Sequence, residues 1–398
     1  MNQRAGYFPL LILLLLSAGC STLAQRDIEG DVAIRKSVTP IPEDRLLDVW
    51  IELFDPGTLP VDEEASGLSP DIRQAEARYL PEQLRSTMEK TGYWGAVRVV
   101  PRGTAGGEVL VAGTILASDG EQLVLAINAR DATGREWLER TYRAEATPED
   151  YEAAARSQRE VFQSLYNTIA NDLTQYRSTL APADVIAIRQ VAEMRFASDL
   201  APDAFGGYLQ LDSDGRYRVQ HLPARDDPMY RRVRAIRERD FLLIDTLDGH
   251  FDNFSREMQQ PYFDWRKARN QEATALHEIE RDALKRKLLG IAAIAGAIAI
   301  EASGRGNGAT TGVLRDTMVL GGVYAIKSGF DKGSEAQINR DAIEELGESF
   351  SSEARPLVVE VEGETHELTG SAEVQYAKWR ALLKQIYASE TGLPGTPD

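Results

Sequence analysis

The sequence predicts an α+β fold, mostly helical: a small α+β sheet domain, a helical middle, a long antiparallel helical hairpin and a C-terminal β-hairpin plus helix. Three observations predict it. Short runs rich in β-branched and aromatic residues crowd between residues 48 and 143, punctuated by turn pairs such as Asp119-Gly120 and Thr133-Gly134. From Pro148 onward the apolar residues recur at helical spacing. Between Tyr262 and Ala302 no breaker stands before Gly290, so a helix of some forty residues would run about 60 Å.

The first element is an address. Arg4 precedes an apolar run from Tyr7 to Leu16, broken only by Pro9 and free of acids, which is the charged start and short apolar middle of a secretory signal. An upright membrane anchor needs roughly twenty apolar residues, twice this run. Small residues follow in Leu16-Ser17-Ala18-Gly19-Cys20, and Cys20 is the sole cysteine of 398 residues. The rival reading is a buried helix in which that cysteine is incidental.

The arrangement resembles the lipobox of bacterial lipoproteins. The resemblance implies removal of residues 1–19, diacylglycerol on the Cys20 thiol and an acylated new amino terminus. Two or three acyl chains make a lasting anchor where one does not. Ser21, in place of aspartate, implies export to the outer membrane, on its periplasmic face. With Cys20 consumed, the expected mature chain has no cysteine for a disulfide, a thiolate nucleophile or a metal. Loss of residues 1–19 removes Arg4 alone among charged residues and moves the net charge from −17 to −18. So acidic a chain lacks the basic face that nucleic acid requires. Some 380 residues suffice for two or three cores.

Residues 20–47, polar and with Pro40 and Pro42, read as a lipidated tether. The segment 48–146 reads as the sheet domain. A strand at 48–54 sets Val49, Ile51 and Leu53 against Trp50, Glu52 and Phe54, and Ala75, Leu80, Leu84 and Met88 space a helix over 71–91. Strands are expected at 96–100, 108–117, 122–129 and 136–143, the last three as a meander.

That order, with Asn128-Ala129-Arg130-Asp131-Ala132-Thr133-Gly134 turning into a Trp- and Tyr-bearing strand, resembles the small α+β domain of bacterial envelope proteins. The family includes the amino-terminal domain of TolB, the curli-export lipoprotein CsgG and lipoproteins that activate peptidoglycan synthases. The resemblance covers about a quarter of the chain, rests on element order and assigns no functional residue.

Residues 147–247 read as helices with one β-hairpin. Phe162, Leu165, Ile169, Leu173 and Tyr176 keep one face apolar to about 178, and Pro182 opens a second helix. Strands 208–211 and 217–220 flank Asp212-Ser213-Asp214-Gly215, and Asp227-Pro228 starts another helix as cap and first residue. Residues 248–350 read as the long hairpin, kinked or restarted at Pro261, turning at Gly304 to Gly312 and returning from Val313 to about Phe350. In 351–390, a hairpin around Glu362-Gly363 leads to a helix capped by Ser371, with Val374, Trp379, Leu382, Leu383 and Ile386 on one face.

The hairpin tip is the sharpest feature. Leu288, Leu289, Gly290, Ile291, Ile294, Gly296, Ile298 and Ile300 lie in a run of only Leu, Ile, Ala and Gly, answered by Met318, Leu320, Val323 and Ile326. Lys285, Arg286 and Lys287 precede it and suit anionic groups. Thirteen apolar residues cover about 20 Å, too little for a bilayer core of roughly 30 Å. Two readings stay open: helix pairing or homo-oligomerisation through Gly290, Gly296, Gly321 and Gly322, or contact with a lipid leaflet.

Signals for chemistry are sparse. His277-Glu278-Ile279-Glu280-Arg281 has arginine where a zinc protease needs its second histidine, and His221, His250 and His366 stand apart. Gly304-Arg305-Gly306-Asn307-Gly308 lacks the preceding strand and following lysine of a phosphate loop. Asp212 to Gly215 reads as a turn, since Pro223 stands where a calcium loop needs glutamate. Arg231, Arg232, Arg234, Arg237 and Arg239 are interleaved with acids and read as a solvated, ion-paired face. No catalytic residue, metal or cofactor is expected. The function expected is that of a non-enzymatic outer-membrane lipoprotein that scaffolds or assists assembly of an envelope structure, with a membrane-contacting oligomer as the alternative and an envelope hydrolase as the third. Its partners would be the membrane, through the acyl chains, and an unidentified envelope protein.

Overall fold

The computed structural model describes residues 24–58, 69–224, 226–302, 341–343, 345, 357–361 and 364–391. Within them the chain is a mixed α+β fold with a helical majority. Six strands form one sheet in the order β1-β6-β5-β4-β2-β3: β1 Ala24–Ile28, β2 Val49–Glu52, β3 Val97–Val100, β4 Val109–Ser118, β5 Gln122–Asp131 and β6 Glu136–Glu145. All run parallel except β5, which is antiparallel to β4 and β6. The meander and the strand, helix, four-strand order stand as the patterning predicts.

Helix α1, Pro70–Glu89, is set by its cap: the Ser69 hydroxyl accepts from the Ile72 amide at 3.2 Å, and Pro70 fills a first position that has no helical amide bond to lose. Strand β2 departs from the expected two-faced pattern. Val49, Trp50, Ile51, Leu53 and Phe54 are all buried, because β2 lies inside the sheet with helices over both its faces.

Residues 24–47 are not a loose tether. Strand β1 pairs with β6 from Ala24↔Arg140 to Ile28↔Ala144, and residues 31–35 run as a strap along helix α3, Gln163–Arg177. Polar side chains on one stripe of α3 hold the strap's backbone. Ser164 accepts from the Val32 amide at 3.1 Å, Asn167 donates to the Val32 carbonyl at 2.7 Å, and Asn171 bridges the Ala33 carbonyl and the Arg35 amide. Backbone groups satisfied by side chains need no periodic apolar pattern, so the strap reads as loop.

The single helix expected over 148–178 divides. Helix α2, Pro148–Ser157, ends where Gln158 turns left-handed at φ 51°, and α3 begins five residues later. Helix α4 is Pro182–Leu200, followed by the short α5, Pro202–Phe205, and a hairpin of β7 Leu209–Leu211 and β8 Tyr217–Val219.

Helix α6, Pro228–Ala302, is one helix of 75 residues. It replaces the two helices expected on either side of Gly249 and Pro261. Proline inside a helix removes one backbone bond, but Met258, Tyr262 and Trp265, each at most 1% exposed, pin the helix on both sides of Pro261. The returning helix of the hairpin, with Met318, Leu320, Val323 and Ile326, lies outside the described residues. Strands β9 Leu357–Val361 and β10 Glu364–Leu368 pair antiparallel, and α7, Ala372–Thr391, closes the fold with Ser371 accepting from the Val374 amide at 3.4 Å. Trp379, Leu383 and Ile386 of the expected face of α7 are buried, joined by Tyr376 and Tyr387, whereas Val374 is 45% exposed. Among the described residues one continuous apolar cluster extends from Leu47 to Tyr387.

Candidate functional site

The polar groups buried in this fold are concentrated where α6 meets the sheet domain. Helix α6 travels along the parallel strands from their beginning to their end. Arg237 donates to the Gly106 carbonyl before β4, Asp245 and Asp248 meet Arg98 and the Val99 amide of β3, and Tyr262 meets Ser118 at the end of β4. Asn270 reaches Gly120 in the β4–β5 turn, and His277 lies 3.3 Å from Glu121 just beyond it.

The distal clamp is fully enclosed. Glu76 of α1 accepts from the hydroxyls of Ser118 and Tyr262, both at 2.6 Å, and Arg73 lies 3.3 Å away. Burial pushes the Glu76 carboxyl up, against the pull of Arg73 and the two hydroxyls. One turn along α6 from Tyr262, Arg266 grips Glu160 with both guanidinium branches at 2.7 and 2.9 Å while stacking 4.2 Å over the Tyr262 ring. A further turn on, Asn270 donates to the carbonyls of Gly120 and Ala146 at 3.2 and 2.8 Å. Spacing of four residues puts these three side chains on one stripe of α6.

The middle of α6 is held by charge. Arg85 of α1 bonds Glu82 at 2.6 Å, Glu89 at 2.9 Å and Asp252 at 3.0 Å, with Asp248 at 3.7 Å. Burial lifts the Glu82 carboxyl to about 7, Arg85 opposing and Asp248 and Glu89 assisting. Near the start of α6, Trp50 meets Phe241 edge-on at 6.2 Å. Asp240 accepts from Tyr376 and Arg380 of α7, both at 3.4 Å, and burial raises it to about 6.

These two carboxyls carry a pH prediction. Each keeps a proton in the folded protein that the unfolded chain releases near its ordinary value, 4.5 for Glu82 and 3.8 for Asp240. Their contribution is full below those values and is lost as pH rises through about 6 to 7. Calorimetry between pH 5 and 8 is expected to show a falling melting temperature, with Glu82→Gln flattening the underlying fall in unfolding free energy by up to about 1.4 kcal/mol per pH unit. A wild-type melting temperature that climbs over this range would contradict it.

Of the tip residues, Lys285 to Ile300 lie on the last third of α6; Cys20 lies outside the described residues. No helix among the described residues is long and apolar enough to cross a membrane. The five arginines clustered between Arg231 and Arg239 at the start of α6 do not act together: Arg232 pairs with Glu390 at 3.2 Å, whereas Arg237 stacks 5.0 Å over Phe241. His221 lies against the Tyr208 ring at 4.2 Å, and Asp212 accepts the amides of Asp214 and Arg216, as a turn requires.

A cleft lined by Arg135, Gln190, Arg216 and Arg218 has an anion-binding look, but Arg135 and Arg218 are paired to Asp184 and Asp212 at 3.0 and 2.9 Å. Among the described residues no group of three His, Cys, Asp or Glu could hold a metal.

Sequence reasoning missed Glu76, Glu160, Tyr262, Arg266 and Asn270. A signal existed for two of them: Glu76 interrupts the apolar stripe Ile72, Tyr79, Leu80, and Arg266 interrupts Phe251, Phe254, Met258, Tyr262. No family model matches this chain, and neither does any curated protein or any solved structure.

Proposed function

We propose that this is a non-enzymatic outer-membrane lipoprotein, anchored through Cys20 on the periplasmic face, that scaffolds or assists assembly of an envelope structure with α6 as its reaching arm. One observation carries the reading. Helix α6 is clamped over 237–277 by aromatic, charged and enclosed polar contacts, and its last 25 residues, about 38 Å of helix, continue past the end of the sheet. An arm serves only if its base is rigid, and the buried polar groups described above are spent on that base.

The resemblance of residues 48–143 to envelope α+β domains supports the same class of role. Two experiments test it. Cys20→Ser is expected to leave an unprocessed or soluble chain; recovery of the variant tightly bound after carbonate wash, with its signal removed, overturns the lipid anchor. A pull-down from native membranes with the acylated chain is expected to retrieve a component of an envelope assembly. Hydrolysis of an envelope polymer by the purified chain would instead favour the enzyme reading.

A further inference from the structure

We propose that the run from Lys285 to Ile300 engages an anionic lipid surface other than the one that holds Cys20, so that the protein bridges two membranes. This rests on the lipoprotein reading above. The argument begins with placement. The chain enters the sheet at Ala24, four residues past Cys20, so an acyl anchor would lie within about 14 Å of β1.

Strand β1 is one edge of the sheet, and β3, whose Val99 amide is capped by Asp248 of α6, is the other. By Asn270, however, the helix has crossed the sheet to the carbonyls of Gly120 and Ala146, the latter just past β6, so the distance that matters runs along the strands. Ala24 pairs with Arg140, five residues short of the end of β6, about 17 Å. Leu288 lies eleven residues beyond His277, which marks that same end, and adds about 16 Å. Anchor and tip are thus set apart along the strands by about 33 Å, farther than four residues can reach. A body seated with β1 on its own membrane points the end of α6 away from it.

Charge selects the occupant. From Arg281 to Lys287 there are four cations against Asp282 alone, in a chain of net charge −17. The next thirteen residues carry no charge, and they cover about 20 Å, suited to entering one leaflet of roughly 15 Å at a tilt. A basic collar at the foot of such a segment matches anionic headgroups above a hydrocarbon layer. Parallel pairing with a second copy would set collar against collar.

The test uses the acylated full-length protein carrying Ala295→Cys. Cys20 is the only other cysteine and would be blocked by lipid, so an environment-sensitive fluorophore labels residue 295 alone. The protein is placed in phosphatidylcholine vesicles, and vesicles containing about one third phosphatidylglycerol are then added. The expected result is a blue shift only on that addition, together with co-flotation of the two populations. Lys285→Glu/Arg286→Glu/Lys287→Glu should cut co-flotation at least tenfold, and Ile294→Asp/Ile298→Asp should abolish the shift, both with unchanged melting temperature.

A blue shift already present in the first vesicles would overturn the proposal in favour of insertion into the anchoring membrane. No shift and no co-flotation would overturn it in favour of a protein partner. If the lipoprotein reading is itself wrong, the protein fails to enter the first vesicles before any others are added. A His-tagged chain on nickel-chelating lipid then asks the tip question alone.

Discussion

Arg266→Met is expected to lower the melting temperature by roughly 6–10 °C. The side chain of Arg266 is 1% exposed and that of its partner Glu160 is 8% exposed, so the substitution leaves a carboxylate enclosed without its cation. Removing one member of a buried pair costs about 3–5 kcal/mol, whereas removing both is often nearly neutral. At about 2 °C per kcal/mol for a cooperative unit of this size, the loss is readily measured. The double variant Arg266→Met/Glu160→Gln should recover at least half of it. Tyr79 also donates to Glu160, at 3.3 Å, and is left with an amide oxygen as acceptor in the double variant. A single variant that melts like the wild type would mean that α6 is held by its apolar contacts alone, and that the polar clamp is dispensable.

The legible part of this fold is the part built from local rules. Ser69, Asp227 and Ser371 cap the helices they precede, and Asp212 and Gly120 make the turns their types demand. The meander of β4, β5 and β6 follows from alternation and turn pairs. What failed locally was decided at long range. Strand β1 has no apolar face of its own, and it is placed by β6 and by Asp172 of α3, which bonds Arg26, Arg140 and Tyr142. Pro261 reads as a break because sequence shows the lost backbone bond and not the three large side chains that hold the helix through it.

The clamp was half legible. A charge inside an apolar stripe, as at Glu76 and Arg266, signals that a partner must come from elsewhere, because an unpaired buried charge is too costly to keep. It does not say from where. Glu160 sits in an irregular linker between α2 and α3, and Ser118 at a strand end, so only the assembled fold joins them. The proposed anchor and the tip, by contrast, are read from composition alone.

Gly120→Ala is expected to cost about 2–5 kcal/mol and to act on the helix more than on the turn. Gly120 has φ +92°, where a side chain is strained, and a Cβ there would stand 2.6 Å from the Arg266 carbonyl oxygen and 2.9 Å from the Arg269 Cβ. Both obstacles belong to α6, and the first is helix backbone, which cannot rotate aside. The turn can keep its shape only if the helix lifts, which would stretch the Asn270 bonds to Gly120 and Ala146 and loosen Arg266 from Glu160. Hydrogen exchange should therefore rise in residues 258–277 of α6 while α4 and α7 keep their protection. Gly215 is also left-handed, at φ +75°, but a Cβ there would meet nothing within 4 Å, so it separates strain from contact. Gly215→Ala should lose only about 1–2 kcal/mol and leave exchange in α6 unchanged. Equal effects from the two substitutions would refute the close seating of α6 on the β4–β5 turn, and with it the rigid base on which the reaching arm depends.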